Sequence, residues 1–360
     1  MEMRESESIE GGTSNLQILR SVGAWSAGVK TEASILPAIE SLIREAKYFV
    51  YIENQFFVSK VVERDEELEF VENKIGKAIV ERVSRAIEEG KPFKVFLLLP
   101  QHVEGKLKQK DVRGVMRLEY KCMFGENSIL SVLKRKHPNT EISNYVTFNS
   151  LRTFAKIGRR TLTEQIYVHS KLVLVDDLKV LIGSVNPSAR FFFHSQFNSS
   201  LFIFKANLND RSLLGERDSE ISVLIEDQVL VESQLNGETV LVSKLAKDFR
   251  MKLMREHLGL EEDDISPSDV ISQEFYNQVW RKTSKSNTQI YKQVFQSSLH
   301  NKVIPVARRK IFSRRKLKHN NVNKLNEIRG HLVNFDEDCF SAIPPKPSLF
   351  ERLLPKTLFS

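Results

Sequence analysis

Apolar and polar positions along the chain follow two periods, and their order predicts the architecture. SILPAIESLIREA, residues 34–46, has helical spacing. It leads into KYFVYIENQFF, a run rich in aromatic and β-branched residues that predicts a strand. ELEFVENKIGKAIVERVSRAIEEG predicts an amphipathic helix ending at Gly90, and FKVFLLLP a short, fully apolar strand after it. Residues near 111–136 read as helix again, NYVTFNSLR as strand, and DSEISVLIED as another buried strand. From about residue 243 the pattern turns helical: SKLAKDFRMKLMREHLG stops at Gly259, and SDVISQEFYNQVW opens with a cap at Ser268. Strand, helix, strand in this order predicts an α/β architecture with buried strands. Residues 1–14 read as a disordered tail, and no short-period repeat or low-complexity segment interrupts the rest.

Between these elements lies QIYVHSKLVLVDDLKVLIGS, residues 165–184, with a histidine and a lysine two apart in an otherwise apolar strand. Strand side chains alternate faces, so His169 and Lys171 point the same way. DDLK reads as a turn and VLIGS as the returning strand. A hairpin closed symmetrically about Asp177–Leu178 puts Ser184 opposite Lys171, so that one face presents an imidazole, an ammonium and a hydroxyl. A lone strand histidine is ordinarily a satisfied core residue. A buried lysine beside it needs an anionic partner, and a phosphate-bearing ligand would supply one.

Composition narrows the setting. The 360 residues suffice for one large domain or two smaller ones, and 41% hydrophobic with 28% charged content fits a soluble globular chain. Two cysteines, Cys122 and Cys339, exclude a disulfide framework and make a reducing, cytosolic setting the expectation. The acidic, polar start MEMRESESIEGG does not read as a signal peptide, and no window reaches 18 uninterrupted apolar residues. The net charge of +8 sits in one place: Lys302 to Lys318 holds eight Lys/Arg and no acid, and without those eight the 54 basic residues fall level with the 46 acidic ones. Such a block attracts phosphate-rich surfaces, either anionic lipid or nucleic acid.

The spacing His-x-Lys, four residues, Asp176, six residues, Gly183-Ser184-x-Asn resembles the signature of the phospholipase D superfamily. LRSVGAWSAG, YFVYIENQFF, TEQIYVHSKLVLVDD, LNDRSLLGERDSEISVLIED, REHLGL and LNEIRGHLVNF resemble, in order, its eukaryotic, phosphatidylcholine-hydrolysing branch. The resemblance implies a mixed β-sheet flanked by helices on both faces, one of the two pseudo-twofold halves of a catalytic domain, with a helical C-terminal extension. On that reading residues 15–260 form the catalytic half and 261–360 a helical, basic region of the same unit. The family uses one histidine to form a phosphohistidine and the other as general acid and base, releasing phosphatidic acid and choline or transferring the phosphatidyl group to a primary alcohol.

Carried onto this chain, the catalytic residues are His169, Lys171, Asp176 and Glu220, with Asp218 as the nearby alternative to Glu220. His169 resembles the second-half histidine, the general acid/base, and Glu220 the carboxylate that holds the second ring nitrogen of a histidine. Ser184 and Asn207 match the phosphate-binding positions, and Glu53–Gln55 falls at a strand end as a structural or site-lining stretch. No metal or other cofactor is implied, because ammonium groups supply the positive charge. The implied partners are a phospholipid substrate and an anionic phosphoinositide surface, not nucleic acid. The basic block, Arg308, Arg309, Lys310, Arg314, Arg315 and Lys316, makes the lipid contact, and the chain is expected in the cytoplasm, peripheral on membranes.

Two departures from the family pattern stand out. The other motif is absent: His300-Asn-Lys302 has the spacing, but Ala307 stands where the aspartate belongs. The chain is therefore expected to need an N-terminal half, or self-association, for a complete site. Failing that, it is a catalytically inactive fragment that binds anionic membrane or a partner. Second, 21 residues, VNPSARFFFHSQFNSSLFIFK, separate Ser184 from ANLNDRSLLG, and removing Val185–Lys205 restores the family pattern without a gap. The segment reads as a retained intron or gene-model error: Val-Asn is compatible with a splice donor and Phe-Ile-Phe-Lys with a T-rich acceptor. If it is a translated surface insertion, GSVN fits the motif by itself and Asn186 stands in for Asn207.

Neutralising Arg308, Arg309, Arg314 and Arg315 together is expected to weaken binding to phosphoinositide-containing vesicles by roughly 1 kcal/mol per charge, read by vesicle co-sedimentation. Equal binding to neutral and anionic vesicles would exclude this lipid contact.

Overall fold

The structure is a computed structural model. It describes residues 14–66, 68–105, 109–158, 160–183, 207–261, 264, 266–295 and 322–336. In chain order these form β1 (Ser14–Val22), α1 (Ala24–Ala27), β2 (Glu32–Ala33), α2 (Ile35–Glu45), β3 (Phe49–Asn54), α3 (Ile75–Glu88) and β4 (Lys94–Leu98). There follow α4 (Lys110–Met123), α5 (Ile129–Lys136), β5 (Val146–Ile157), β6 (Arg160–Ile166), β7 (Lys171–Val175) and β8 (Lys179–Gly183). The remainder comprises α6 (Asp210–Leu213), β9 (Glu220–Asp227), β10 (Leu230–Leu235), β11 (Glu238–Ser243), α7 (Lys244–Leu258), a π-helical stretch (Glu274–Arg281) running into α8 (Lys282–Phe295), and β12 (Leu332–Asn334).

Ten strands form one mixed sheet in the order β12-β5-β4-β3-β7-β8-β9-β1-β2, with β6 added on β5. β3, β4 and β5 run parallel, and β7 returns antiparallel to β3. Helices cover both faces, as the α/β reading requires. α2 packs Ile35, Ile39, Leu42 and Ile43 inward at helical spacing, and with α3 to α5 it covers one face. α7 and the helix that ends in α8 cover the other, where Trp280 meets Phe96 edge-on at 4.9 Å and donates its indole N–H to Asn149 Oδ1 at 3.1 Å. Because both faces are covered, the central strands are buried throughout rather than alternating: all six residues of β3 and all five of β4 and β7 are buried, with the polar Glu53, Asn54, Lys94 and Lys171 at the strand ends.

Several boundaries differ from the sequence reading, each for a local reason. The strand expected over 47–57 ends at Asn54, where the chain leaves the sheet. The helix expected from Glu67 begins at Ile75, because the amides of Glu72 and Asn73 are held by the Asp210 carboxylate instead of by a helical turn. The helical stretch near 111–136 is two helices, the second opened by Ser128, whose hydroxyl accepts from Ser131 N at 3.2 Å. The cap expected at Ser268 is supplied by Ser272, which accepts from Phe275 N at 3.1 Å. Ser14, assigned to the tail, already belongs to β1. The hairpin β10–β11 went unforeseen.

The hairpin that carries the His-x-Lys motif also closes differently. Its pairs are Leu172↔Ile182 through Val175↔Lys179, around a three-residue loop Asp176-Asp177-Leu178. Continuing this register sets Lys171 opposite Gly183, not Ser184. A one-residue slip in a strand reverses which face every side chain takes. The longer loop is possible because Asp176 and Asp177 both adopt left-handed backbone, φ 55° and 53°.

Two long-range contacts hold that loop. Asp177 forms a bidentate pair with Arg250 of α7, both bonds 2.7 Å and both side chains fully buried, and Arg250 also donates to the Pro267 carbonyl at 2.6 Å. At the end of α7, Gly259 and Gly330 lie so close that a Cβ on Gly259 would sit 2.4 Å from Gly330 N. His331 N donates to the His257 carbonyl at 2.7 Å beside them, which draws β12 to the sheet.

Arg250→Ala leaves a buried carboxylate unpaired and is expected to lower the free energy of unfolding by about 3–5 kcal/mol in denaturant melts. Lys244→Ala, which breaks an exposed, solvent-screened pair with Asp248, is expected to leave the melt nearly unchanged. Equal effects would show that the Asp177–Arg250 pair does not anchor the hairpin.

Candidate active site

The C-terminal ends of β3 and β4, the N-terminal ends of β7 and β9, and the end of β8 lie together at one end of the sheet. Across that end the register lines up Asn54, Lys171, Gly183 and Ser222 on the face covered by α2. These four line a narrow cavity together with Leu208. Glu220 stands two residues further along β9, paired with Ser21 of β1, and is 1% exposed.

Lys171 opens β7 and is buried. Its ammonium donates to Gln55 Oε1 at 3.0 Å and to the His169 carbonyl at 2.7 Å. His169 sits just before the strand, half-buried, its ring stacked on Tyr167 with centroids 6.4 Å apart and planes 29° apart. Gln55 Nε2 donates to Tyr167 Oη at 2.9 Å, and so does the Glu104 amide at 3.1 Å. Burial pushes the Tyr167 phenol up to about 12, so the hydroxyl keeps its proton at neutral pH. On the opposite sheet face, Glu53 accepts from Tyr51 Oη at 2.6 Å and contacts His257 Nε2 at 2.8 Å. Burial works against ionising Glu53, but the bonds from His257, Tyr51 and Ser170 outweigh it and hold its carboxyl below the ordinary range. The ENQ stretch is thus both framework and site lining: Glu53 faces α7, while Asn54 and Gln55 face the site.

The segment after residue 206 is fitted over this end. Leu208 bridges Phe57 in parallel, and its carbonyl accepts from Val58 N at 2.9 Å. Asn54 Oδ1 faces the amides of Phe56 and Leu208 at 3.3 and 3.4 Å. Asn209 opens α6 by accepting from Ser212 N at 3.1 Å. Gly215, at φ 75°, lets this segment touch β1, since a Cβ there would lie 2.8 Å from Val22 N. Asn207 is fully buried, and neither atom of its amide has a hydrogen-bond partner among the described residues. A buried amide left in that state is costly, and a ligand oxygen is the kind of group that would satisfy it. Asp218 accepts from Arg211 at 2.7 Å in a half-buried pair, which leaves Glu220 as the carboxylate built into the strand end.

Of the residues proposed from sequence, the structure brings His169, Lys171, Asn207 and Glu220 to one end of the sheet. It does not bring Asp176 there. That residue lies five positions along β7 from Lys171, roughly 16 Å at ~3.3 Å per residue. Its carboxylate accepts from the amides of Lys47, Tyr48 and Phe49 at 2.6 to 2.8 Å. Burial pushes its pKa up while those amides pull it down. Asp176 therefore ties the hairpin turn to the start of β3 and acts on the site only through the fold. Ser184, Asn186, the 185–205 segment and the basic block with Arg308, Arg309, Lys310, Arg314, Arg315 and Lys316 lie outside the described residues. The sequence marks Gln55 only as part of the structural or site-lining Glu53–Gln55 stretch and gives Tyr167 no role, because 112 positions separate the two and only the fold brings them together.

Among the described residues no group of three His, Cys, Asp or Glu side chains is arranged to hold a metal ion, and no helix is long and apolar enough to cross a membrane. Two further buried groups back the site loops. His102, after β4, is pushed down to about 4 by burial and is neutral. Glu119 of α4 accepts from Phe57 N at 3.3 Å, and burial pushes its carboxyl up to about 8.

The family model described as phospholipase D matches residues 8–155. Phospholipase D A of Dictyostelium discoideum is 38% identical over 269 residues, 74% of this chain and 19% of that protein. Phospholipase D zeta 1 of Arabidopsis thaliana is 36% identical, covering 89% of this chain and 30% of that one. Human phospholipase D1 is 35% identical, covering 89% of this chain and 29% of its own length. Among solved structures, Nuc of Salmonella typhimurium, a phospholipase D family member, aligns over 66% of this chain and 90% of its own with 15% identity and a TM-score of 0.28, a loose match. The chain belongs to the phospholipase D family, and it spans less than a third of the length of these curated relatives.

Glu119 generates a pH prediction. Its folded pKa lies above the ordinary 4.5, so the stability it contributes is complete below about 4.5 and is lost as pH rises toward about 8. Between those values Glu119→Gln is expected to gain on the wild type by about 1.4 kcal/mol per pH unit, read from denaturant melts across pH. A constant difference between the two proteins would contradict a protonated Glu119.

Proposed function

We propose that this chain is the C-terminal half of the catalytic unit of a phospholipase D. In this reading the completed unit hydrolyses phosphatidylcholine to phosphatidic acid and choline through a phosphohistidine, or transfers the phosphatidyl group to a primary alcohol. The observation that carries the proposal is the convergence of His169, Lys171, Asn207 and Glu220 at one sheet end, with the buried Asn207 amide unsatisfied. An ammonium and an amide N–H beside a half-buried imidazole suit a phosphodiester, whose non-bridging oxygens gather charge as the bond breaks.

In the proposed reaction the nucleophilic histidine comes from the other half, supplied by an N-terminal segment or a second copy. His169 protonates the leaving alcohol and then takes a proton from the incoming water or alcohol. The Lys171 ammonium and the Asn207 amide N–H bind the non-bridging oxygens, with Ser184 proposed as a further phosphate-binding residue and Asn186 as the stand-in for Asn207. Glu220 holds the second ring nitrogen of a histidine. Positive charge comes from ammonium groups, so no cofactor enters. The basic block would bring the unit to anionic, phosphoinositide-bearing membrane on the cytoplasmic side.

A second reading rests on the chain carrying one motif and less than a third of its relatives' length. In that reading it is a catalytically silent fragment that binds anionic membrane or a partner.

The test mixes the chain, with and without residues 185–205, with an N-terminal half and supplies phosphatidylcholine and a primary alcohol. Phosphatidylalcohol is expected, with rates reduced roughly 10²–10⁴-fold in His169→Ala and roughly 10²–10³-fold in Lys171→Met. No product from any mixture would remove the enzyme reading and leave the binding fragment.

A further inference from the structure

We propose that Gln55 and Tyr167 are positioning residues that couple the Lys171 ammonium to the orientation of the His169 ring. This rests on reading His169 and Lys171 as the reacting pair. An ammonium can only donate, so the Gln55 atom 3.0 Å from Lys171 Nζ must be Oε1. That fixes the amide in one of its two orientations and turns Nε2 toward Tyr167 Oη, 2.9 Å away. The phenol oxygen therefore accepts from Gln55, and it accepts also from the Glu104 amide at 3.1 Å, which ties it to the loop after β4. Fixed by two donors, the Tyr167 ring lies against His169 at 6.4 Å and 29°. Gln55 is itself 4% exposed at the end of β3, so the chain of contacts starts from the centre of the sheet.

His169 has no strand to hold it, since β7 begins only at Lys171. Its backbone is tied by its own carbonyl, which accepts from Lys171 Nζ at 2.7 Å, and its ring plane is set by Tyr167. Lysine and histidine are thus oriented by the same amide, one directly and one through the phenol. A general acid misplaced by about 1 Å loses much of its effect, so a shared anchor keeps the two groups in register with each other.

The test is read on the chain itself by NMR with labelled histidine. The eight histidines are resolved by the loss of one signal in His169→Gln. Tyr167→Leu removes the ring current and is expected to move the His169 ring-proton signals toward their solvent-exposed positions. Gln55→Leu and Tyr167→Phe remove no ring from beside His169, yet both are expected to move the same signals, because the ring loses its anchor. In a Tyr167→Leu background, Gln55→Leu is expected to add nothing further. In the active mixture, Tyr167→Leu is expected to lower kcat roughly ten- to hundredfold, with KM changed much less.

Circular dichroism and melting curves establish that each variant is folded, and Tyr167→Phe is the conservative arm. His169 signals unmoved by Gln55→Leu and Tyr167→Phe, or shifts of Gln55→Leu and Tyr167→Leu that simply add, would overturn the coupling. The NMR readings need no turnover. A mixture that makes no phosphatidylalcohol while the His169 shifts remain coupled would count against the reaction and not against the positioning.

Discussion

The site end of the sheet is organised around the burial of one ammonium group. Lys171 opens a strand whose next four residues are apolar, and it lies in the interior row between Asn54 and Gly183. Taking a cation out of water is expensive unless dipoles or charges compensate. Compensation here begins with two carbonyl oxygens, one from Gln55 and one from the histidine two residues earlier. At the same end of the sheet lie the buried Asn207, in the segment fitted over the strand ends, and the buried Glu220 of β9. The rest of the fold makes this placement possible. β3 carries Asn54 and Gln55 to the same level, and α2 seals the face below them.

The far end of the hairpin explains why the motif contains an aspartate that never reaches the site. Asp176 and Asp177 are adjacent, both in left-handed backbone, and they face different partners. Asp176 takes the three amides where the chain enters β3, and Asp177 takes the guanidinium of Arg250. One fixes the hairpin to its neighbouring strand, the other to the helix layer. Together they set the level of β7 relative to β3, and hence the height of Lys171 against Asn54. A residue can therefore belong to a catalytic signature through register alone.

Much of this was legible in the sequence. Central strands declared themselves by apolar runs, α2 by its spacing, and α3 and α7 by their spacing and the glycines that follow them, Gly90 and Gly259. The motif pointed to His169 and Lys171 directly, and Asn207 was visible once residues 185–205 were set aside. What could not be read was decided by distant partners. The hairpin register depends on two positive φ angles held by contacts to residues 47–49 and 250. The late start of α3 depends on Asp210, 137 positions from Asn73. β1 escaped notice because Leu16 and Ile18, its outward apolar residues, are each 63% exposed, so its pattern does not alternate cleanly between buried apolar and exposed polar positions. Tyr167 looked like one more strand aromatic, and only its hydroxyl partners give it a role.

Lys171 and Asn207 are proposed to assemble an oxyanion site at this end of the sheet. The most direct measurement is a titration of the chain with tungstate, a phosphate-like oxyanion, followed through the side-chain amide signals of Asn207 and the ring signals of His169. Both sets are expected to move together with one dissociation constant, and Lys171→Met is expected to abolish the response while Lys244→Met leaves it intact. Signals of Asn207 and His169 that stay fixed while oxyanion binds elsewhere, or a response indifferent to Lys171→Met, would contradict it.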